Sequence, residues 1–136
     1  MSQILCFHSK NNPDSIFLHD GRTGNEYSFE KINKLVNKSS NYLLSEGIKS
    51  GEKLSVIISN SLEYFILFLS SMRLGVIFNP FPTSLAPKDL YKYICYVEPK
   101  LIYCEKDHFS YLFNQGLNVQ LINYDDNKKG FLENIS

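Results

Sequence analysis

Hydrophobic positions along the chain follow two alternating patterns, one with helical spacing and one with short continuous apolar runs. After Ser28, apolar residues recur every three or four positions, which predicts an amphipathic helix that begins at an N-cap serine. Glu30 lies in the first turn, where a negative charge stabilises the helix dipole. Gly47 ends this pattern and is suited to the left-handed turn that follows a helix.

The next pair of patterns predicts a buried strand followed by a buried helix. Residues 54–58 form a nearly unbroken apolar run, typical of a strand covered on both faces. Asn60, with Glu63 three residues later, predicts the N-terminus of a helix over 61–74, which Gly75 closes.

The same alternation continues through the second half of the chain, and a hairpin precedes it. A short apolar run at 15–19, a polar turn at 20–25 and Glu26-Tyr27 predict two antiparallel strands. The later predicted elements are a strand at 76–78, a helix that opens at Pro87 and is stopped by Pro99, a strand at 100–104, a short helix capped by Asp107 and ended by Gly116, and a strand at 119–122.

Strands that alternate with helices predict a doubly wound α/β fold. Parallel strands need crossover connections, and right-handed crossovers place helices on both faces of a mainly parallel sheet. We therefore expect this fold with a short N-terminal hairpin, over residues 13–124. Residues 1–12 are predicted to be an N-terminal extension and residues 125–136 a loose tail.

The amino-acid composition and net charge exclude several classes of function. The 136 residues are 43% hydrophobic, which is enough for one packed domain and excludes intrinsic disorder. Fourteen basic and fourteen acidic residues give a net charge of zero, so we expect neither a nucleic-acid partner nor attraction to an anionic membrane.

The N-terminus and the cysteines bear on location. The longest apolar run, residues 64–69, is far shorter than a membrane span, and the N-terminus lacks the pattern of a secretory signal. Cys6, Cys95 and Cys104 form no C-x-x-C pair, and an odd number cannot pair completely. We therefore expect reduced thiols and a cytoplasmic protein.

Catalytic chemistry is hard to find in this sequence. The three histidines are far apart and form no metal-binding pattern, and no serine lies in a G-x-S-x-G turn. Residues 83–88, TSLAPK, are similar to a phosphate loop but contain no glycine, so we interpret them as the entry to the helix that opens at Pro87. We assign no catalytic residue and no metal ligand.

Six segments nevertheless carry family-like motifs in order between residue 13 and about residue 105. They are EYSFEKIN at 26–33, GIKSGEKL at 47–54, NSLEYF at 60–65, LGVIFNP at 74–80, Asp89-Leu90, and PKLI at 99–102. In this series the chain resembles the N-terminal subdomain of the adenylate-forming (AMP-binding) superfamily. That superfamily includes acyl-CoA synthetases, aryl-CoA ligases and nonribosomal adenylation domains.

The resemblance implies an N-terminal fragment of an ATP-dependent acid–CoA ligase. Such an enzyme forms an acyl-adenylate and then a thioester, so ATP, Mg²⁺ and CoA are implied for the full-length enzyme and no cofactor for this segment. The signatures that bear the family's chemistry lie downstream of the matched region, so we expect this chain alone to be catalytically incomplete. The expected partner is the remainder of the ligase, or a second copy through self-association.

One loop is implied to lie near a cofactor. In CoA-using relatives, the loop that contains Asn79, Pro80 and Phe81 lies near the CoA nucleotide, although a structural turn is the other interpretation of these residues. An alternative function from a different class is a freestanding α/β binding or scaffold module derived from the same family. A flavin-binding protein is a third hypothesis, which a yellow colour on purification would reveal.

Overall fold

A computed structural model describes residues 2–122 and 130–135. Over these residues the chain forms six helices and six strands. In chain order they are α1 (Ser2–Asn11), β1 (Ile16–His19), β2 (Glu26–Ser28), α2 (Phe29–Ser45), β3 (Lys53–Ile57), α3 (Leu62–Leu74), β4 (Ile77–Pro80), α4 (Pro87–Val97), β5 (Leu101–Cys104), α5 (Lys106–Asn114), β6 (Val119–Leu121) and α6 (Phe131–Ile135).

The strands form two sheets. β1 and β2 pair antiparallel as a hairpin, and the other four strands form a parallel sheet in the order β4-β3-β5-β6. β3 lies inside this sheet, where residues 54–57 are fully buried, as expected for an apolar run covered on both faces. The predicted α/β fold with a mainly parallel sheet and an N-terminal hairpin is confirmed.

Helices cover both faces of the parallel sheet, and each face has its own apolar cluster. Along β5, Leu101 and Tyr103 belong to the larger cluster, together with buried residues of α2 and α3. Ile102 and Cys104 alternate with them and belong to the smaller cluster, which includes buried residues of α4 and α5. This alternation follows from the two-residue period of a strand.

Several predicted helix ends are confirmed. The Ser28 side chain caps α2 by accepting a hydrogen bond from the Lys31 N–H, and Gly47 follows the helix with φ 86°. Gly75 ends α3 in the left-handed conformation, and Pro87 occupies the first turn of α4.

Two predicted N-caps are wrong. α3 is capped by Ser61, whose hydroxyl accepts a hydrogen bond from the Tyr64 N–H, and not by the neighbouring Asn60. α5 begins after Glu105, so Asp107 lies inside its first turn. In both cases adjacent residues can accept a helix N–H, so composition alone fixes the cap only to within one or two positions.

The two ends of the chain contain helices that the sequence pattern did not predict. The predicted extension forms α1, in which Leu5 is buried in the larger cluster. Within the predicted tail, α6 buries Phe131 and Ile135, and the Phe131 ring lies 5.3 Å from the Tyr103 ring and 6.1 Å from the Tyr42 ring. The loose tail is therefore wrong for residues 131–135, while residues 123–129 and 136 lie outside the described residues.

Candidate functional site

The carboxyl ends of the parallel strands place several loops at one edge of the sheet. β3 is followed by Ser59 and Asn60, β4 by Phe81, and β5 by Glu105. In open α/β sheets this edge is where ligands bind. Three clefts among the described residues open here, and all three include Asn60 in their lining.

The cleft between the β3 and β4 ends has a volume of about 420 Å³. We call it the carboxyl-edge cleft. Its lining residues are Ile58, Ser59, Asn60, Tyr64, Pro80, Phe81, Pro82, Thr83 and Ser84. One wall is the loop between β3 and α3, and the other is the loop over residues 81–86, which we call the β4–α4 loop. None of the nine lining residues is charged.

Both walls are tied to the sheet by hydrogen bonds. Glu105 accepts a hydrogen bond from the Ser59 N–H through Oε1 at 2.6 Å, and its own N–H donates to the Ile57 carbonyl oxygen at 3.1 Å. At the other wall, the Phe81 N–H donates to the Val56 carbonyl oxygen at 2.8 Å. The loops after β3 and β4 therefore start from fixed positions.

The far end of the β4–α4 loop is held from α5. Leu85 donates its N–H to the Pro82 carbonyl oxygen at 3.2 Å, and its own carbonyl oxygen lies 3.0 Å from Nε2 of His108. His108 is 4% exposed and packs in the first half of α5. A buried histidine thus contacts the backbone of a cleft wall.

The three residues predicted to lie near CoA do not all reach this cleft. Pro80 and Phe81 line it, whereas Asn79 does not. Asn79 and Pro80 belong to β4 and not to a loop, which corrects the sequence interpretation. Asn79 is paired with Ser55 across the two strands, and its buried Nδ2 contacts no hydrogen-bond partner among the described residues.

The two other clefts lie on the hairpin side of α3. One, of about 470 Å³, is lined by parts of the hairpin turn and of α3, and the other, of about 230 Å³, includes Glu105. They share Arg22 and Ser61 as well as Asn60. The Asp20 carboxyl beside them accepts a hydrogen bond from the Arg22 N–H at 2.9 Å, which, together with its bonding to Thr23, lowers the pKa of Asp20.

Metal-binding side chains are not clustered at this edge among the described residues. Within residues 2–122 and 130–135, no group of three or more His, Cys, Asp or Glu side chains is arranged to hold a metal ion. The Cys104 thiol lies at the end of β5, where burial, and to a smaller extent the charge of Glu105, raises its pKa to about 12. This thiol is therefore protonated at neutral pH and is not a nucleophile.

Sequence reasoning missed Glu105 and His108 as residues that shape the cleft. Their contacts join residues 46 and 23 positions apart, respectively. No local pattern encodes such contacts, because they depend on which strand ends become neighbours. The nearest signal was the position of Glu105 directly after a predicted strand, where loops of α/β sheets carry binding residues.

Comparison with known families decides where this fold belongs. The family model described as "AMP-binding enzyme" matches residues 7–130. The chain belongs to the AMP-binding enzyme family.

A curated ligase and a solved structure are similar to this chain, the second in fold. The chain is 28% identical to 4-coumarate–CoA ligase 3 of Arabidopsis thaliana over 109 residues, which are 78% of this chain and 19% of that ligase. The crystal structure of VinN matches with a TM-score of 0.81 at 23% identity, over 89% of this chain and 31% of VinN. The chain therefore spans about a fifth of the length of this curated relative.

A further structural match is an ATP-bound enzyme structure. ATP-bound MatB from Rhodopseudomonas palustris matches with a TM-score of 0.79 at 18% identity, over 98% of this chain and 27% of MatB. At this identity the match shows a shared fold. Among the described residues of the present chain, none of the helices combines the length and apolar character needed to cross a bilayer.

Proposed function

We propose that this chain is the N-terminal part of an ATP-dependent acid–CoA ligase, which forms an acyl-adenylate and then a thioester in the whole enzyme. The observation that carries the proposal is the AMP-binding family match over residues 7–130, in a chain that covers 19% of a 4-coumarate–CoA ligase. The remaining four-fifths of such a ligase would supply the groups that act on the phosphates.

The chemistry of the carboxyl-edge cleft supports a part of an active site, and not a complete one. Attack of a carboxylate on the α-phosphate of ATP develops negative charge, which cations and preorganised N–H groups must stabilise. The residues that line this cleft include hydroxyls, one amide, two aromatic rings and two proline rings, with no cation. Phosphate groups would therefore need Lys, Arg or Mg²⁺ from elsewhere in the enzyme.

Within this proposal the cleft contributes to the site for CoA. Pro80 and Phe81 form part of its lining, and the Phe81 ring lies 6.5 Å from the Tyr93 ring of α4. A lining that combines rings with hydroxyls and carries no charge fits the uncharged parts of a nucleotide thiol better than its phosphates. A nucleotide base or the pantetheine arm could pack against Phe81, while the charged groups extend toward the rest of the ligase.

We further propose that the remainder of the ligase is the partner of this chain. Large apolar side chains are exposed on several elements, among them Ile77 of the edge strand β4 and Met72 of α3. Burying such side chains against a neighbour would stabilise the assembly. A cytoplasmic location is supported by the three cysteines, all of which are free.

The proposal is tested by acid-dependent exchange of pyrophosphate into ATP. The 136-residue chain alone is expected to show no exchange with any of a panel of aromatic and aliphatic acids, because the missing groups act in the transition state. Mixed with 4-coumarate–CoA ligase 3 from which the matched segment has been deleted, the chain is expected to restore exchange.

The deleted ligase without added chain is the control. Mg²⁺-dependent exchange by the pure chain would contradict the proposal, since it would reveal a complete phosphate site in this segment. Strictly monomeric behaviour of the chain in the presence of the deleted ligase would contradict the proposed partner.

A further inference from the structure

The β4–α4 loop is held at both ends, with the cleft wall between them. At its start the Phe81 N–H bonds to β3, and at its end the Leu85 side chain packs against the smaller apolar cluster. Pro82, Thr83 and Ser84 lie between these points and line the carboxyl-edge cleft. The position of the Leu85 backbone therefore fixes the position of residues 82–84, which form this wall of the cleft.

His108 makes a directional contact to that backbone. Its Nε2 lies 3.0 Å from the Leu85 carbonyl oxygen, and a carbonyl oxygen only accepts, so Nε2 carries the hydrogen. The other ring nitrogen is Nδ1. It is buried and contacts no hydrogen-bond partner among the residues that the structure describes.

A histidine at this place costs stability that an apolar side chain would not. His108 is buried beside Leu112 on the same helix, and leaving Nδ1 without a partner costs free energy on folding. If packing were the only role of this position, phenylalanine or leucine would stabilise the fold more than histidine does. What only the imidazole provides is the Nε2–H donor to the loop.

We propose that His108 is a positioning residue for the carboxyl-edge cleft, and that it acts by holding the Leu85 carbonyl and with it the wall formed by residues 82–84. The proposal rests on the proposed function only in taking this cleft as a binding site. The position of the wall itself can be measured without any ligand.

Three substitutions separate donation from packing. Glutamine places its amide nitrogen where Nε2 of histidine lies, so His108→Gln keeps the donor. In His108→Asn the side chain is too short for its amide nitrogen to reach that position, and His108→Phe has no donor. The readout is amide hydrogen exchange by NMR on the whole 136-residue chain, at the Leu85 N–H and at the core strand residue Ile57. Global stability is measured for each variant by urea unfolding.

We expect a change in amide exchange near Leu85 only in the variants that lack the hydrogen-bond donor. In His108→Phe and His108→Asn, the exchange rate at the Leu85 N–H is expected to rise about tenfold more than the rate at the Ile57 N–H. A factor of about ten is what the loss of one ordinary hydrogen bond produces. His108→Gln is expected to stay within about threefold of the unchanged chain. Ser55→Ala is the matched control, because it changes a buried polar group without a partner among the described residues and should leave Leu85 exchange unchanged.

Two results would overturn the proposal. One is a rise at Leu85 no larger than at Ile57, or as large in His108→Gln as in His108→Phe, which would make His108 a packing residue. The other needs no variant: ¹⁵N shifts of the imidazole in the unchanged chain that place the hydrogen on Nδ1. A failure of the proposed ligase function would appear in pyrophosphate exchange and not in these amide rates.

Discussion

The carboxylate of Glu105 accepts a hydrogen bond from the backbone N–H of Ser59 at 2.6 Å. The two residues follow neighbouring parallel strands, so the bond joins the loop after β3 to the start of α5. Because Ser59 lines the carboxyl-edge cleft, Glu105 contributes to the cleft without lining it.

Removing this carboxylate is expected to loosen the loop after β3. Glu105→Ala should lower the free energy of unfolding by about 1 kcal/mol, since the bond is charge-assisted but partly exposed to water. Glu105→Gln retains an acceptor oxygen and should lose less than half of that. Urea unfolding together with exchange at the Ser59 N–H measures both effects. Equal losses in the two variants would show that the charge and not the acceptor matters.

Gly75 is expected to tolerate a side chain less well than Gly116. Both have positive φ, 69° and 78°, so alanine at either position costs about 1–2 kcal/mol of backbone strain. At Gly75 alone an added Cβ would also lie 2.6 Å from Oγ of Ser50, whereas Gly116 has open space. Gly75→Ala should therefore cost about 0.5–1 kcal/mol more, because Ser50 must leave its rotamer.

A double substitution checks the cause of that difference. In a Ser50→Ala background the nearest contact is gone, and Gly75→Ala should cost the same as Gly116→Ala. Thermal or urea unfolding of the four chains gives the coupling between the two positions. A difference that persists without the Ser50 hydroxyl would place the strain elsewhere.

The three cysteines are expected to react at different rates. Cys95 is exposed, Cys6 is half-buried and Cys104 is buried with a raised pKa. At pH 8 a maleimide should label Cys95 first, whereas Cys104 should label only when the chain unfolds, since the thiolate is the reactive form. Mass spectrometry of peptides from partly labelled protein reads the order. Early labelling of Cys104 would contradict its burial in the folded chain.

Because of the same thiol, the free energy of unfolding should fall at alkaline pH. Its pKa is about 12 in the folded chain and about 8.5 in an unfolded one, so the folded state keeps a proton that the unfolded state loses. The stabilisation is complete below pH ~8.5 and is lost as the pH rises from there toward 12. Comparing urea unfolding of the unchanged chain and Cys104→Ala at pH 7.5 and 10 isolates this group.

Asp20 is expected to show the opposite dependence in acid. Backbone N–H groups of Arg22 and Thr23 bond to its carboxylate at 2.9 and 3.3 Å, and these bonds lower the pKa of Asp20. The hairpin turn is therefore stabilised at pH values above about 4 and loses this contribution as the pH falls through the lowered pKa. An NMR titration of the side chain measures the value, and a pKa of 4 or more would contradict it.

Local patterns predicted much of this fold because its elements obey local rules. The helix that begins after Ser28 and the buried strand before Asn60 follow from spacing and apolar runs. α6 was missed because only five residues carry its pattern, although Phe131 and Ile135 have helical spacing. Its stability comes from contacts with Tyr42 and Tyr103, which no window of sequence contains.

The candidate site was predictable in outline and not in detail. Pro80 and Phe81 could be placed near a strand end, and both line the cleft. Asn79 alternates with Pro80 along β4, so its side chain lies on the opposite face of the sheet and does not line the cleft. Whether any of the three contacts CoA stays a prediction.

The position of Pro80 on β4 also limits the pairing of this strand with a strand of another molecule. β4 lies at one edge of the parallel sheet within the described chain, and the N–H groups of Ile77 and Phe81 point toward β3. By alternation the outward positions belong to Phe78 and Pro80, and proline has no N–H to donate. This edge therefore presents a single backbone donor, too few to template a continuous ladder with a strand from another molecule, so fibril-like stacking is disfavoured here.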